Sequence, residues 1–194
     1  MTNSRDAILK SVSRNQPQGI PLPEIKLFLG DNGNLLDLFK QNLEKMGGSW
    51  VKIAADSELI EEIKALHPEA QVIASAVPEV IGAQIITKGV DPHSLAEVDV
   101  GVVRAKFGVA ENGAVWLDQA DLVVNALGFL SQHLVVILDS KELLSNMQAA
   151  YLRIDLNECD YGVFMAGPSA TGDVEAVIVH GAQGPRSLTV FLKS

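Results

Sequence analysis

Leu134-Val135-Val136-Ile137-Leu138 is an unbroken aliphatic run, bounded by Gln132-His133 before it and Asp139-Ser140-Lys141 after it. A run this short, rich in branched side chains and with no polar position, predicts a strand buried on both faces, and such a strand needs a layer on each side of its sheet. Beyond Asp139 and Ser140, the residues Leu143, Leu144, Met147, Ala150 and Tyr151 recur at helical spacing, which predicts a helix and completes a βα unit.

The same alternation extends outward. Residues 99–103 predict another strand. Residues 107–117 are two apolar runs pinched around Asn112-Gly113, a pair that favours a tight type I′ hairpin turn. Upstream, Leu35, Leu38, Phe39, Leu43 and Met46 mark a helix over residues 34–46 that stops at Gly47-Gly48, with a strand to follow at residues 50–54. Asp56 or Ser57 caps a second helix carrying Leu59, Ile60, Ile63 and Leu66 and ended by Pro68; residues 71–74 and 84–87 read as short buried strands. Downstream, residues 161–166 lead into a small-residue segment, and residues 188–192 form the closing strand. Strands alternating with helices predict the α/β class: a single three-layer domain with a mostly parallel central sheet plus a hairpin. Ser4 caps a short helix with Ile8, Leu9 and Val12 on one face, and the Pro17 to Pro23 stretch breaks it. Residues 1–24 therefore read as a helical arm with a Pro-rich connection, and residues 25–194 as the domain.

Composition narrows the function. With 194 residues, 47% of them hydrophobic, the chain can bury a full core. A net charge of −9 with no basic cluster would repel a phosphate backbone, so nucleic acid is not an expected partner. Cys159 is the only cysteine, which excludes an intrachain disulfide, a zinc ribbon and a self-contained iron–sulfur cluster. His67, His93, His133 and His180 lack metal-ligand spacing, so no metal is expected. There is no Gly-x-Gly-x-x-Gly fingerprint, and no cofactor is expected either. The N-terminus lacks an apolar signal segment and residues 122–138 are interrupted by polar positions, so a cytoplasmic protein outside the membrane is expected.

Two glycine loops hold the most informative residues. In Gly167-Pro168-Ser169-Ala170-Thr171-Gly172-Asp173-Val174-Glu175, hydroxyls and backbone N–H groups could meet an anion at a strand's carboxyl edge, the more so if residues 173–176 open a helix; the alternative is an exposed turn with Thr171 as a cap. In His180-Gly181-Ala182-Gln183-Gly184-Pro185-Arg186-Ser187, an imidazole and a guanidinium sit among glycines, able to hold a carboxylate or phosphate; the alternative is a turn with Arg186 solvated. The expected ligand set is Gly167, Ser169, Thr171, Asp173, Glu175, His180, Gly181, Gly184 and Arg186, converging on one pocket for a small anion with Glu111 on its rim.

Together the loops resemble the C-terminal signature of the lactate-utilization C (LutC/YkgG) proteins of the LUD domain family, Gly-Pro-Ser-x-Thr-x-Asp-Ile-Glu followed by Gly-x-His-Gly-Pro. Gly167, Pro168, Ser169, Thr171, Asp173 and Glu175 match the first part, and Gly181, Gly184 and Pro185 the second, while Gln183 stands where histidine is common. The resemblance implies a fold like that of the NagB, ribose-phosphate isomerase and CoA-transferase group. It also implies a role beside iron–sulfur partner proteins in turning L-lactate into pyruvate, with this chain as the cluster-free component. A second resemblance, of Glu111-Asn112-Gly113 to the Ser-Glu-Asn-Gly motif of CoA-transferases, makes Glu111 a candidate catalytic nucleophile. A ligand-orienting carboxylate and a plain turn residue are the alternatives for Glu111; a CoA- or phosphosugar-dependent enzyme of the CoA-transferase-like fold using Glu111 and a ligand-binding regulator are the alternative functional readings.

Overall fold

The computed structural model describes residues 3–17, 19, 21, 23–26, 28, 33–54, 57–155, 157–174 and 177–193. In chain order its elements are α1 (Ser4–Asn15), α2 (Leu35–Lys45), β1 (Ser49–Ile53), α3 (Leu59–Leu66), β2 (Ile73–Ser75), β3 (Gln84–Ile85), β4 (Val100–Arg104), β5 (Phe107–Val109), β6 (Ala114–Asp118), α4 (Gln119–Leu122), α5 (Leu127–Leu130), β7 (His133–Asp139), β8 (Leu143–Leu144), α6 (Met147–Arg153), β9 (Gly162–Met165), β10 (Ala170–Val174), β11 (Val177–His180) and β12 (Ser187–Lys193).

The aliphatic run at 134–138 is the middle of β7, and β7 is central in a six-stranded parallel sheet ordered β1-β12-β7-β4-β2-β3. Period-two alternation sorts its side chains between two cores. Leu134, Val136 and Leu138 join Val103, Val190 and Leu192 on the face covered by α2, where Phe39 and Leu43 are fully buried. Val135 and Ile137 join Val102, Phe191 and Ile63 of α3 on the other. The chain is therefore α/β with a mostly parallel central sheet and a helical N-terminal segment.

The hairpin departs from the expected detail. β5 and β6 do not extend the central sheet; with β8 and β9 they form a second sheet, ordered β8-β5-β6-β9 and stacked on the first. Every residue of β6 is buried. Val115 and Leu117 face the central sheet, and Trp116 faces Phe107, Phe164 and Ala150 of α6 on the outer side. The turn is a four-residue loop rather than a type I′ pair: Gly113 alone takes a left-handed φ of 69°, its N–H donates to Val109 O at 2.9 Å, and Asn112 Oδ1 accepts from Ala114 N at 3.1 Å. Gly113 lies so close to the Leu43 backbone that a Cβ would collide with it.

Three further expectations are corrected. Leu143-Leu144 is a strand, and the helix begins only at Met147, leaving Tyr151 61% exposed. Asn3, not Ser4, caps α1. Ser57 does not cap α3, since its Oγ accepts from Ala54 N, and Asp56 lies outside the described residues.

Candidate functional site

The two glycine loops do meet. Ser169 N donates to Pro185 O at 2.9 Å, Gly181 N donates to Ser169 O at 2.8 Å, and Gly184 packs on the Ser169 side chain. Their position, however, is the opposite of that expected. Gly167 sits against Met46 and Gly48, just ahead of β1, and Arg186 precedes β12, its N–H donating to Gln132 O ahead of β7. The loops thus close the amino edge of the central sheet. Asp173 and Val174 belong to β10, which pairs with β11 as an antiparallel ribbon, so no helix opens at Asp173, and residues 175 and 176 lie outside the described residues. The helix-dipole argument for an anion is gone, and the Ser169 and Gly181 amides that would grip one are spent on loop-to-loop bonds. The remaining hollow, about 250 Å³, is shallow and lined by Ser169, Gln183, Gly184 and Phe129. Arg186, Thr171 and His180 are not among its lining residues, His180 and Arg186 being exposed. Asp173 contributes backbone to β10, and Glu175 lies outside the described residues.

Glu111 is occupied elsewhere. Its Oε2 accepts the Met147 amide at 2.9 Å at the start of α6, its own N–H donates to Ser145 O, and Asn42 Nδ2 donates to its carbonyl. It does not line the hollow between the loops. A helix-start acceptor is what this geometry makes of it.

The richest chemistry lies at the carboxyl edge, where open α/β sheets bind ligands. A cleft of about 720 Å³ runs between the strand ends at Arg104 and Asp139, the base of the β5–β6 hairpin, and the segment that carries Arg153, Asp155, Glu158 and Cys159. Its inner wall holds Lys106, Asp118 and Asp121. Asp118, 7% exposed, ends β6: its Oδ1 accepts the amides of Ala120 and Asp121 at 2.8 and 3.1 Å, and its Oδ2 meets Lys106 Nζ. Asp121 returns the cap, accepting Asp118 N at 2.9 Å. Burial pushes Asp118 upward, but the Lys106 ammonium and the two amides outweigh it and hold this carboxyl below its ordinary value; the same contact raises Lys106. Asp121 goes the other way: burial, reinforced by the Asp118 charge, lifts it to about 6. Two adjacent carboxyls pushed apart in this manner, beside an ammonium, can exchange a proton with a bound molecule near neutral pH. Arg153 lies over the Phe107 ring and pairs with Glu142, and half-buried Cys159 donates to Tyr161 O.

Sequence reasoning missed this site. One signal was available: Asp118-Gln119-Ala120-Asp121 has capping-box spacing at the end of an apolar run. Nothing local showed that the hairpin would bring Lys106 onto it. Histidines missed as a pair are His67 and His133, stacked at 4.3 Å at the amino edge, with His67 Nε2 buried and unpartnered among the described residues. Burial lowers both, helped by His133 at His67 and by Arg186 at His133. Among the described residues no group of His, Cys, Asp or Glu could hold a metal ion, and no helix is long and apolar enough to cross a membrane.

Comparison with known proteins agrees with this architecture. The chain is similar to a Deinococcus radiodurans protein called Lactate utilization protein C, 26% identical over 198 residues, covering 95% of this chain and 91% of that protein. Its fold resembles the crystal structure of a DUF162 family protein from Deinococcus radiodurans, with a TM-score of 0.60 and 18% identity over 82% of this chain and 96% of that one. The model of the LUD domain matches residues 92–192, just over half the chain and a span running from β4 through the second sheet to β12. The chain belongs to the LUD domain family.

Proposed function

We propose that the chain is a cluster-free component or accessory protein of the system that oxidises L-lactate to pyruvate, acting in the cytoplasm with iron–sulfur partner proteins. The observation that carries this reading is the near full-length similarity to a protein called Lactate utilization protein C. A sequence with one cysteine supports the division of labour, because a single thiolate does not hold an iron–sulfur cluster and the electrons must pass through another chain. The carboxyl-edge cleft supports it too. Its lining carries Asp118, Asp121, Asp139, Glu142, Asp155 and Glu158 against Arg104, Lys106 and Arg153, and each of these cations already faces a carboxylate. A free lactate anion would meet net repulsion there. The cleft therefore suits a role other than oxidising lactate directly, and the amino-edge glycine loops act chiefly as a clasp between β1, β7 and β12. The body over residues 25–194 carries the function and residues 1–24 serve as an attached arm.

The test is genetic and chemical together. Deleting the gene in the source organism should abolish growth on L-lactate while sparing growth on pyruvate, and a Cys159→Ser copy should restore it. The purified chain should hold no iron and should not reduce an artificial electron acceptor with lactate. Normal growth of the deletion strain on lactate, or lactate oxidation by the purified chain alone, would overturn the proposal.

A further inference from the structure

α1 is a twelve-residue helix none of whose residues is buried. Ile8, Leu9 and Val12, on one face, are 63%, 51% and 53% exposed. An isolated helix of this length is marginal in water, and an aliphatic stripe of this kind normally marks a surface that another surface covers. The arm also differs in charge from the rest. Residues 1–24 hold three basic residues, Arg5, Lys10 and Arg14, against Asp6 and Glu24, while the whole chain carries −9, so the body is strongly acidic.

The body presents a face of matching chemistry. On α6, Tyr151 and Leu152 are 61% and 71% exposed, next to exposed Asp155 and Glu158. The root of the arm is fixed beside that helix: Asn146 Nδ2 donates to Phe28 O at 2.7 Å, and Phe28 N donates to Gln148 Oε1 at 2.8 Å. The thirteen Cα-to-Cα steps from Asn15 to Phe28 span at most about 45 Å when extended. Among the described residues, α1 nevertheless buries none of its own side chains. With its root at α6 and its apolar face free, a second copy related by a two-fold axis places each arm over the partner's α6 at short reach, and reciprocal exchange of this sort makes a closed dimer at low cost.

We propose that two copies of this chain exchange α1 arms, with Ile8, Leu9 and Val12 seated on Tyr151 and Leu152 of the partner copy and the arm's basic residues facing its Asp155 and Glu158. Sedimentation velocity on the full chain at roughly 100 µM should show a dimer, and Ile8→Asp with Leu9→Asp, or Leu152→Asp alone, should shift it to monomer, the first pair weakening association on the order of a hundredfold. These side chains are exposed, so each variant should keep its circular dichroism and melting temperature. The sharper test mixes the arm variant with the Leu152→Asp variant: each heterodimer regains one intact junction, so the mixture should dimerise more tightly than either variant alone. A monomeric wild-type chain at that concentration, a dimer indifferent to the arm substitutions, or a mixture no tighter than its components would overturn the proposal. So would hydrogen-exchange protection of α1 that is the same at all concentrations, because that places the arm on its own body.

Discussion

The two edges of the central sheet differ in how they use their residues. At the amino edge, glycines let chain segments cross, and the amides of Ser169, Gly181 and Arg186 are consumed in joining one loop to the next. At the carboxyl edge, few residues belong to any motif, yet Lys106, Asp118 and Asp121 face an open cleft with their proton affinities displaced in different directions. The contrast separates two kinds of conspicuous sequence: glycine patterns that solve a packing problem, and scattered charged residues that the fold assembles.

The largest expected effect falls at the amino edge. Gly167 has a left-handed φ of 75°, and the Met46 carbonyl occupies the place a Cβ would take. Gly167→Ala should cost about 3 kcal/mol or more in urea unfolding, since strain and collision add. A loss below about 1 kcal/mol would show that the clasp is not structural.

At the carboxyl edge, Asp118→Asn removes the charge opposite Lys106 and weakens the cap of α4. Lys106 is nearly half exposed and can turn to water, so the cost should be smaller, about 1–2 kcal/mol. A cost as large as that of Gly167→Ala would blur the distinction between the edges.

Glu111 comes next. Glu111→Ala leaves the Met147 amide without its acceptor and should cost about 1 kcal/mol or less, whereas Glu111→Gln keeps an acceptor and should be nearly neutral. Intact mass after exposure to acyl-CoAs should show no adduct on either the wild type or the variant; a glutamyl adduct on the wild type would restore Glu111 as a nucleophile.

The smallest effect concerns pH. His67 and His133 have folded values below their unfolded ones, so their contribution to stability is present above about pH 6.5 and lost as pH falls through that window, where the unfolded chain binds more protons. Asp121 acts oppositely: raised to about 6, it favours the fold while protonated, and that contribution is lost as pH rises from about 4 to 6. His67→Phe should flatten the acid-side loss measured by melting temperature, and Asp121→Asn should flatten the opposing slope. Unchanged pH profiles in both variants would contradict the burial of these groups.

How much of this was legible in the sequence follows from the range over which each signal acts. β7, α2 and β12 are set by local periodicity and were readable within about a residue. β8 was not, because Leu143 and Leu144 also fit the helical spacing of Met147 and Ala150, and only pairing with Gly108 and Val109 makes them a strand. The two glycine loops meet through Ser169, Gly181 and Pro185, yet the edge at which they meet depends on β9 belonging to the second sheet, a long-range fact. Lys106 meets Asp118 across twelve residues because Phe107 pairs with Trp116, a register set by a loop that the Asn-Gly pair made look shorter than it is.

The measurement closest to the central claim, that the functional site is the carboxyl-edge cleft, is amide and indole shift mapping of the isotope-labelled chain against a library of small polar fragments. The cleft account predicts that binders perturb Lys106, the Trp116 indole, Ala120 and Cys159, and that Asp121→Asn weakens them while leaving the shifts of Ser169 and Gly184 untouched. Perturbations gathered on Ser169, Gly184 and Phe129 instead, and unaffected by Asp121→Asn, would return the site to the glycine loops.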